Sequence, residues 1–250
     1  MAHLRRTYNI ATSMVASAWR GSSGISVLSG IAGFKRPAQT LVLYSKETCP
    51  YSRETLSMLD LDARIRPCPS DGKQYRSELK RIGGKEQVPF LIDPNTDTKM
   101  YETKDIINYL FSQYGPGADV IPSSVGPGSL STYLSIIPWH HLIPASFRRQ
   151  TPSTITSSET SESTPTAIVD DGMILWSYEN CPYCRVVREV LDEKELAYQV
   201  KNIARGSPKR DAFIATYGRM QVPLLIDERK GRMIFESSDI IDYLHETYPK

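Results

Sequence analysis

The chain has 250 residues, of which 40% are hydrophobic and 23% charged, with a formal net charge of +2 at pH 7. This length allows one or two domains, and so small a net charge gives no electrostatic basis for binding nucleic acid or an anionic membrane. Four cysteines are too few for a secreted disulfide scaffold, and they suit a reducing compartment with reactive thiols.

The N-terminal region is basic and contains no acidic residue before Glu47. It carries arginines and lysines among many Ser, Ala and Gly residues, which is typical of an organellar transit peptide. We therefore predict a leader over residues 1–38, and a disordered basic extension is the alternative interpretation.

Residues 39–115 alternate short apolar runs with helical patterns, which predicts the order β-α-β-α-β-β-α. Strands that are separated by helices pair in parallel through crossovers, and the last two strands form an antiparallel hairpin at Asp93-Pro94-Asn95. The predicted strands are Leu41–Tyr44, Arg64–Arg66, Val88–Ile92 and Lys99–Tyr101. The predicted helices are Tyr51–Asp60, Lys73–Ile82 and a closing helix that Thr103 caps and that ends at Gly115.

Residues 116–169 connect this first domain to the rest of the chain. Leu130–Ile143 is the most apolar stretch in the chain, but Pro138 and a histidine pair interrupt it, so we predict a connecting helix rather than a membrane span. The segment 150–166 consists almost entirely of Ser, Thr, Pro and Glu. It cannot bury enough apolar surface to become ordered, which predicts a flexible linker.

Residues 170–250 repeat the first domain, and four blocks recur in the same order. The first pair of blocks is LVLYSKETC and MILWSYENC, which begin at Leu41 and Met173. The sequences PYSR and PYCR follow, then QVPFLID and QVPLLID, and finally a block that begins with Glu102 in the first copy and Glu236 in the second. The offset is 132 at the cysteine and 134 later, so a small insertion separates the blocks.

Each copy places a cysteine at the start of a helix that follows a buried strand. The unpaired N–H groups and the positive dipole end at a helix N-terminus favour the thiolate. Cys181 and Cys184 form a Cys-x-x-Cys pair there. Neither the other two cysteines nor His140-His141 supply a second pair at metal-ligand spacing, so the pattern predicts redox chemistry and no metal site.

With both copies compared, the chain resembles a tandem of thioredoxin-fold domains of the glutaredoxin and glutathione-transferase N-terminal kind. The resemblance covers about residues 39–115 and 170–249. It rests on the Cys-Pro-Tyr-Cys/Ser turn, the Gln-Val-Pro segment and the Glu-Ser/Thr-x-Asp helix start. It implies an α/β fold with two tandem thioredoxin-like domains, each with a four-stranded mixed sheet and flanking helices.

The paired arrangement with a basic leader also resembles a group of plant and algal plastid proteins. That resemblance implies a chloroplast location, and a mitochondrial or cytoplasmic location is the alternative. The second copy is similar as well to the thioredoxin-like domain of membrane-associated prostaglandin E synthases, which leaves an isomerase activity open.

The resemblance implies that Cys181 is the nucleophile, the most exposed thiol with a lowered pKa, and that Cys184 is the resolving thiol. The first copy has Ser52 at the resolving position, so Cys49 is either a monothiol site or part of a degenerate copy that is retained for structure. Lys46 matches the lysine with which glutaredoxins stabilise the thiolate, whereas the second copy has Tyr178 there.

The resemblance also implies a glutathione site in each copy. The residue before a cis proline would offer its N–H and C=O to the tripeptide, and the start of the closing helix would hold the γ-glutamyl group. Trans prolines and ordinary helix capping are the alternatives. The residues so assigned to glutathione are Lys46, Tyr51, Val88, Pro89, Glu102, Thr103, Tyr183, Val222, Pro223, Glu236 and Ser237.

Three further side chains have two interpretations each. Cys68 follows the second strand, so it either resolves a disulfide on Cys49 or is a passive buried thiol. Arg53 and Arg185 follow the two cysteine turns, where they add positive potential or are simply solvated helix charges.

These observations predict a glutathione-linked thiol–disulfide oxidoreductase. Its partners would be glutathione and disulfide-containing or glutathionylated proteins. The alternatives are a non-catalytic glutathione-binding or protein-interaction module and, below it, a glutathione-assisted iron–sulfur site.

Overall fold

The computed structural model describes residues 24–123, 125 and 172–249. The predicted connecting helix at Leu130–Ile143, the linker at 150–166 and the first 23 residues of the leader lie outside the described residues. Within the described part of the chain, no helix is both long enough and apolar enough to cross a bilayer.

Both domains have the predicted order β-α-β-α-β-β-α. The first domain comprises β1 (Leu41–Ser45), α1 (Tyr51–Met58), β2 (Ala63–Pro67), α2 (Gln74–Gly83), β3 (Phe90–Asp93), β4 (Thr98–Tyr101) and α3 (Thr103–Tyr114). The second domain comprises β5 (Met173–Ser177), α4 (Pro182–Glu193), β6 (Tyr198–Asn202), α5 (Lys209–Tyr217), β7 (Leu224–Asp227), β8 (Arg232–Phe235) and α6 (Ser237–Thr247). Short 3-10 helices lie at Ile31–Gly33, Ala118–Val120 and Glu228–Lys230.

Each domain contains the predicted four-stranded mixed sheet. In the first domain β1 pairs in parallel with β2 and antiparallel with β3, and β3 pairs antiparallel with β4. The second domain repeats these pairings. The first strand of each copy is therefore central, so the cysteine turn that follows it begins at the middle of a sheet.

The two sheets are joined, which the sequence did not predict. Strands β2 and β6 pair antiparallel, with Ala63 opposite Val200 and Ile65 opposite Tyr198, and this gives one eight-stranded sheet. All four of these side chains are buried. An apolar edge strand exposes unpaired N–H and C=O groups, and pairing the two edges with each other removes both exposed edges at once.

Several boundaries differ from the predicted ones. Helix α1 ends at Met58 rather than Asp60, because Asp60 has a φ of 52° and lies in the left-handed region. Strand β3 begins at Phe90 rather than Val88, because Pro89 has no N–H to donate to a neighbouring strand. Helix α4 has 12 residues against 8 in α1, so the second copy continues this helix by another turn.

A buried aspartate fastens the closing helix of each domain to its sheet. Asp93 Oδ2 accepts hydrogen bonds of 2.6 Å from both Tyr109 and Tyr114. Asp227 accepts the corresponding bonds from the hydroxyls of Tyr243 and Tyr248. The hydrogen bonds that Asp93 accepts from these tyrosines and from Asn95 outweigh its burial and lower its pKa.

Residues 24–38, which the sequence assigned to the leader, pack against both domains. The N–H of Val27 donates to the carbonyl of Arg205 at 2.9 Å, and the N–H of Leu28 donates to the carbonyl of Met58 at the same distance. The guanidinium of Arg36 donates to the carbonyl of Leu59 at 2.6 Å. This N-terminal segment therefore bridges the two domains.

Candidate functional site

The cysteine pair of the second domain lies at the N-terminus of α4. Cys181 is the N-cap residue and Pro182 is the first helical residue, a position that suits proline because no N–H is needed there. The Cys181 sulfur accepts a hydrogen bond from the N–H of Cys184 at 3.3 Å. All four cysteines of the chain are free thiols.

The two thiols of this pair differ in acidity. Hydrogen bonds from the Cys184 thiol and N–H lower the pKa of Cys181, the positive charge of Arg188 adds to this effect, and burial opposes it. Burial, the hydrogen bond and the charge of Cys181 raise the pKa of Cys184 well above its usual range. Cys181 is therefore the thiol that ionises first, and Cys184 retains its proton.

The expectation that Cys181 is the most exposed thiol is wrong. Its exposed fraction is 2%, whereas Cys49 is only partly buried. The N-terminal segment passes beside this turn at Gly24. A Cβ atom on Gly24 would lie 3.4 Å from the Cβ of Glu179 and 3.9 Å from the amide nitrogen of Asn180.

Tyr178 stands where the first copy has Lys46, and its hydroxyl is hydrogen-bonded to Cys181. Burial and the charges of the two thiols raise the pKa of Tyr178, so the phenol keeps its proton. A neutral hydroxyl thus lies beside Cys181 where a lysine would place a positive charge.

The turn of the first domain presents Cys49 alone. Burial raises the pKa of Cys49, although Arg53, Lys46 and a hydrogen bond with Thr103 oppose the rise. Burial therefore disfavours the Cys49 thiolate more than the N-terminus of α1 favours it. Ser52 is fully buried at the resolving position, and its hydroxyl has no hydrogen-bond partner among the described residues.

Both Val-Pro bonds are cis, as the resemblance implied. They join Val88 to Pro89 and Val222 to Pro223. The prolines are buried and the valines are partly exposed. An extended peptide could pair with the N–H and C=O groups of these valines.

The closing helices begin one residue earlier than predicted, so Thr103 does not cap α3. The N-cap residues are Glu102 and Glu236, each with a φ of 66°, and neither helix start has a side-chain cap. The amide of Gln87 donates to Glu102 at 2.6 Å, and Gln221 makes the same contact with Glu236. Uncapped N–H groups suit a carboxylate, and an exposed glutamate beside them suits an ammonium group.

The remaining side chains that the sequence assigned to glutathione differ in exposure. Tyr183 is 43% exposed, whereas Tyr51 packs against the core of the first domain. Ser237, the first residue of α6, is buried. Tyr51 and Tyr183 occupy matching positions of the two cysteine turns, but Tyr183 is exposed and Tyr51 is partly buried.

Four buried charges join the two cysteine turns, and the sequence analysis missed three of them. Arg53 and Glu47 come from the first domain, and Arg188 and Glu179 come from the second. Arg53 is thus not a solvated helix charge, whereas Arg185 forms a partly exposed ion pair with Glu189. The signal was the glutamate two residues before each cysteine, which both copies share.

Cys68 is fully buried, and its thiol donates to the carbonyl of Arg66 at 3.5 Å. Burial raises the pKa of Cys68 to about 12. Both observations favour the passive interpretation of this thiol. Across residues 24–123, 125 and 172–249, no group of three or more His, Cys, Asp or Glu side chains could hold a metal ion.

Comparison with known proteins identifies the domain type. The family model for the glutathione S-transferase N-terminal domain matches twice, at residues 43–118 and 175–250. Among solved structures, the trimeric glutathione transferase TDR1 from Leishmania matches with 15% sequence identity and a TM-score of 0.30. The match covers 85% of this chain and 68% of that chain. The search of the curated proteins found no match.

Proposed function

This chain belongs to the glutathione S-transferase N-terminal domain family, and we propose that it is a glutathione-linked thiol–disulfide oxidoreductase. Cys181 and Cys184 are its active pair, and Cys49 is a monothiol site. The observation that carries this proposal is the hydrogen bond from the Cys184 N–H to the Cys181 sulfur, at a thiol whose pKa is lowered. The thiolate is the form that attacks a disulfide.

The reaction proceeds by two exchanges. The Cys181 thiolate attacks one sulfur of a disulfide substrate, forms a mixed disulfide with it, and expels the other sulfur as a thiolate that takes up a proton. Cys184 then loses its proton and attacks the Cys181 sulfur, which releases the second half of the substrate as a thiol. Two electrons pass from the cysteine pair to the substrate, and two molecules of reduced glutathione restore the pair while forming glutathione disulfide.

The raised pKa of Cys184 sets the order of these steps. A resolving thiol that stays protonated until Cys181 has reacted does not compete for the substrate. Once Cys181 is in a mixed disulfide, its negative charge no longer opposes the ionisation of Cys184. The second exchange therefore becomes favourable only after the first.

Glutathione is a substrate of this reaction, and the residues present fit its groups. The uncapped start of α6 suits the γ-glutamyl carboxylate, and Glu236 beside it suits the amino group. The backbone of Val222 suits the cysteinyl part of an extended tripeptide. Glu102, Thr103 and Val88 offer the same groups in the first domain, where Cys49 would exchange with glutathione alone.

The partners that this proposal implies are disulfide-containing or glutathionylated proteins. We propose a plastid location for this chain and its partners, on the basis of the basic composition of the N-terminal region. Import of the full chain into isolated chloroplasts and mitochondria, followed by protease treatment, would test it, and the absence of uptake by chloroplasts would contradict it.

The central test measures reduction of a peptide–glutathione mixed disulfide by the full chain, with reduced glutathione as the electron donor. Cys181→Ser in a Cys49→Ser background, which removes the monothiol route as well, should abolish the reaction, and Cys68→Ser, which alters a buried passive thiol, serves as the control. Cys184→Ser converts the second turn into the Cys-Pro-Tyr-Ser form of the first. If the wild type and Cys181→Ser are equally inactive while both fold, the proposal fails.

A second candidate is a non-catalytic glutathione-binding or protein-interaction module. The observation that favours it is the burial of Cys181, whose exposed fraction is only 2%. Binding of glutathione to the Cys49→Ser/Cys181→Ser double variant separates the two candidates. Affinity equal to that of the wild type, together with no turnover by the wild type, would favour the binding module.

A further inference from the structure

Four charged side chains meet where the two domains join, and all are nearly inaccessible to water. The exposed fractions are 5% for Arg53, 2% for Arg188 and 6% for both Glu47 and Glu179. Two positive and two negative charges balance within the cluster. Buried charges are retained when they are paired and hydrogen-bonded, so a specific arrangement is expected here.

Each arginine holds the turn that presents the cysteine of its own domain. In the first domain the carbonyl of Lys46 accepts from the Arg53 guanidinium at 2.8 Å and from the N–H of Cys49 at 2.9 Å. In the second domain the carbonyl of Tyr178 accepts from Arg188 and from the N–H of Cys181, both at 3.3 Å. One carbonyl thus links each arginine to a reacting cysteine.

Each arginine is in turn held by the glutamate of the other domain. Arg53 donates through Nε and Nη2 to the two carboxylate oxygens of Glu179, both at 3.2 Å. Arg188 donates in the same manner to Glu47, both at 3.1 Å. Such bidentate pairs fix both position and orientation. Since each glutamate also belongs to a cysteine turn, the four residues close a ring through both turns.

We propose that Arg53, Glu47, Arg188 and Glu179 are positioning residues that couple the two cysteine turns, so that a carboxylate of one domain sets the reactivity of the thiol in the other. This inference deepens the proposed function, because it concerns the thiols assigned there. The joined sheet is consistent with this coupling, because the pairing of β2 with β6 brings the two cysteine turns close enough to share one charge cluster.

The first thiol offers the clearest test, because Cys49 is partly accessible to reagents. The groups that face it are Arg53 from its own helix, Lys46 from its turn, Thr103 from α3 and Glu179 from the second domain. Burial has the largest effect and raises the pKa of Cys49, and the negative charge of Glu179 raises it further. Arg53 and Lys46 act in the opposite direction.

The second thiol faces a corresponding set of groups. They are Cys184 and Arg188 from α4 and the hydroxyl of Tyr178 from its own turn. The charge of Arg188 favours the Cys181 thiolate, and Glu47 from the first domain compensates that charge. The cluster therefore acts on both thiols through the arginine that the opposite domain holds.

The decisive variant is Glu179→Gln, with Cys49 followed in the full reduced chain. The rate of iodoacetamide alkylation is measured against pH, and the peptide that contains Cys49 is quantified by mass spectrometry. We expect the pKa of Cys49 to fall by about one unit and its alkylation below that pKa to become about threefold faster. Glu179→Asp keeps the charge and should keep the wild-type pKa.

Glu228→Gln is the matched control, because Glu228 is an exposed glutamate of the same domain and its replacement changes the net charge equally. Glu179→Gln leaves two buried arginines with one carboxylate, Glu47. If the chain then unfolds, the double variant Glu179→Gln/Arg188→Gln retains the neutral pair of Arg53 and Glu47, which lie 3.0 Å apart. It should show the same fall in the pKa of Cys49.

An unchanged pKa of Cys49 in the folded variant would overturn the inference, as would an equal shift in Glu228→Gln. The readout is the titration of one thiol and needs no turnover. A shifted titration in a protein that reduces no disulfide would therefore support the coupling while the proposed function failed.

Discussion

We expect Asp192 to make the stability of this protein depend on pH near neutrality. It lies on α4 of the second domain, beside the turn that carries Glu47. Burial and the negative charge of Glu47 raise the pKa of Asp192 to about 7, against a backbone hydrogen bond from Glu47 that lowers it. The unfolded chain has an ordinary aspartate pKa of about 4. The folded state therefore binds this proton more tightly than the unfolded state.

The sign and size of the effect follow from this difference. Protonated Asp192 favours the folded state, so its stabilising contribution is present below about pH 4 and is lost as the pH rises towards 7. Between pH 5 and pH 8 the loss covers about two pH units at about 1.4 kcal/mol per unit, which gives about 2 to 3 kcal/mol. The pKa of Glu47 is lowered to about 2, so Glu47 titrates below pH 5 and does not contribute to the change in stability between pH 5 and pH 8.

The assay is urea unfolding of the full chain at pH 5 and pH 8, compared between the wild type and Asp192→Asn. The neutral amide keeps the shape of the carboxyl group and can still accept the hydrogen bond from the Glu47 N–H. We expect Asp192→Asn to lose about 2 kcal/mol less stability than the wild type between the two pH values. Asp71→Asn, at an exposed position, is the control. Equal losses in the wild type and in Asp192→Asn would refute the reasoning.

Three further outcomes test other parts of the structure. Ser52→Cys should fold normally, because the Ser52 hydroxyl has no hydrogen-bond partner among the described residues to lose. Mild oxidation should then form a disulfide between this cysteine and Cys49, which mass spectrometry detects as the loss of two hydrogens. Alkylation of both thiols after oxidation would contradict this. Tyr114→Phe removes one hydrogen bond to the buried Asp93 and should lower the free energy of unfolding by about 1 to 2 kcal/mol, whereas an unchanged urea midpoint would show that the bond adds nothing. A chain that begins at residue 39 should melt several degrees lower than one that begins at residue 24, because the bridge between the domains is lost. Equal melting temperatures of these two chains would refute this.

The repeat made most of the fold predictable from the sequence. Two copies of one pattern predicted the order of strands and helices, and the family resemblance implied both cis bonds. The join between the sheets was not predictable in the same way. The pattern shows that Ile65 and Val200 are apolar, but the same pattern suits a strand that is covered by a helix or by a second molecule.

The candidate site was only partly predictable, because some of its properties come from contacts distant in sequence. The cysteine turns followed from spacing, whereas the charges that join the two turns pair residues 126 and 141 positions apart in the sequence. Arg188 has no basic counterpart in the first copy, where Leu56 holds that position, so comparison of the copies gave no reason to select it. Its role became visible only through the two carbonyls and the carboxylate that it contacts.

The same contacts bear on whether the first domain is a degenerate copy. A copy kept only for its shape would need an apolar edge strand, and β2 supplies one. It would not need a buried glutamate that neutralises Arg188 at the cysteine turn of the other domain, since a buried ion pair adds little stability over apolar residues of similar volume. Glu47 and Arg53 are therefore better explained by what they do at the two turns than by stability. The absence of a second thiol beside Cys49 and the presence of these two charges are then compatible, because Glu47 and Arg53 contact Arg188 and Glu179 of the other turn whether or not Cys49 has a resolving thiol.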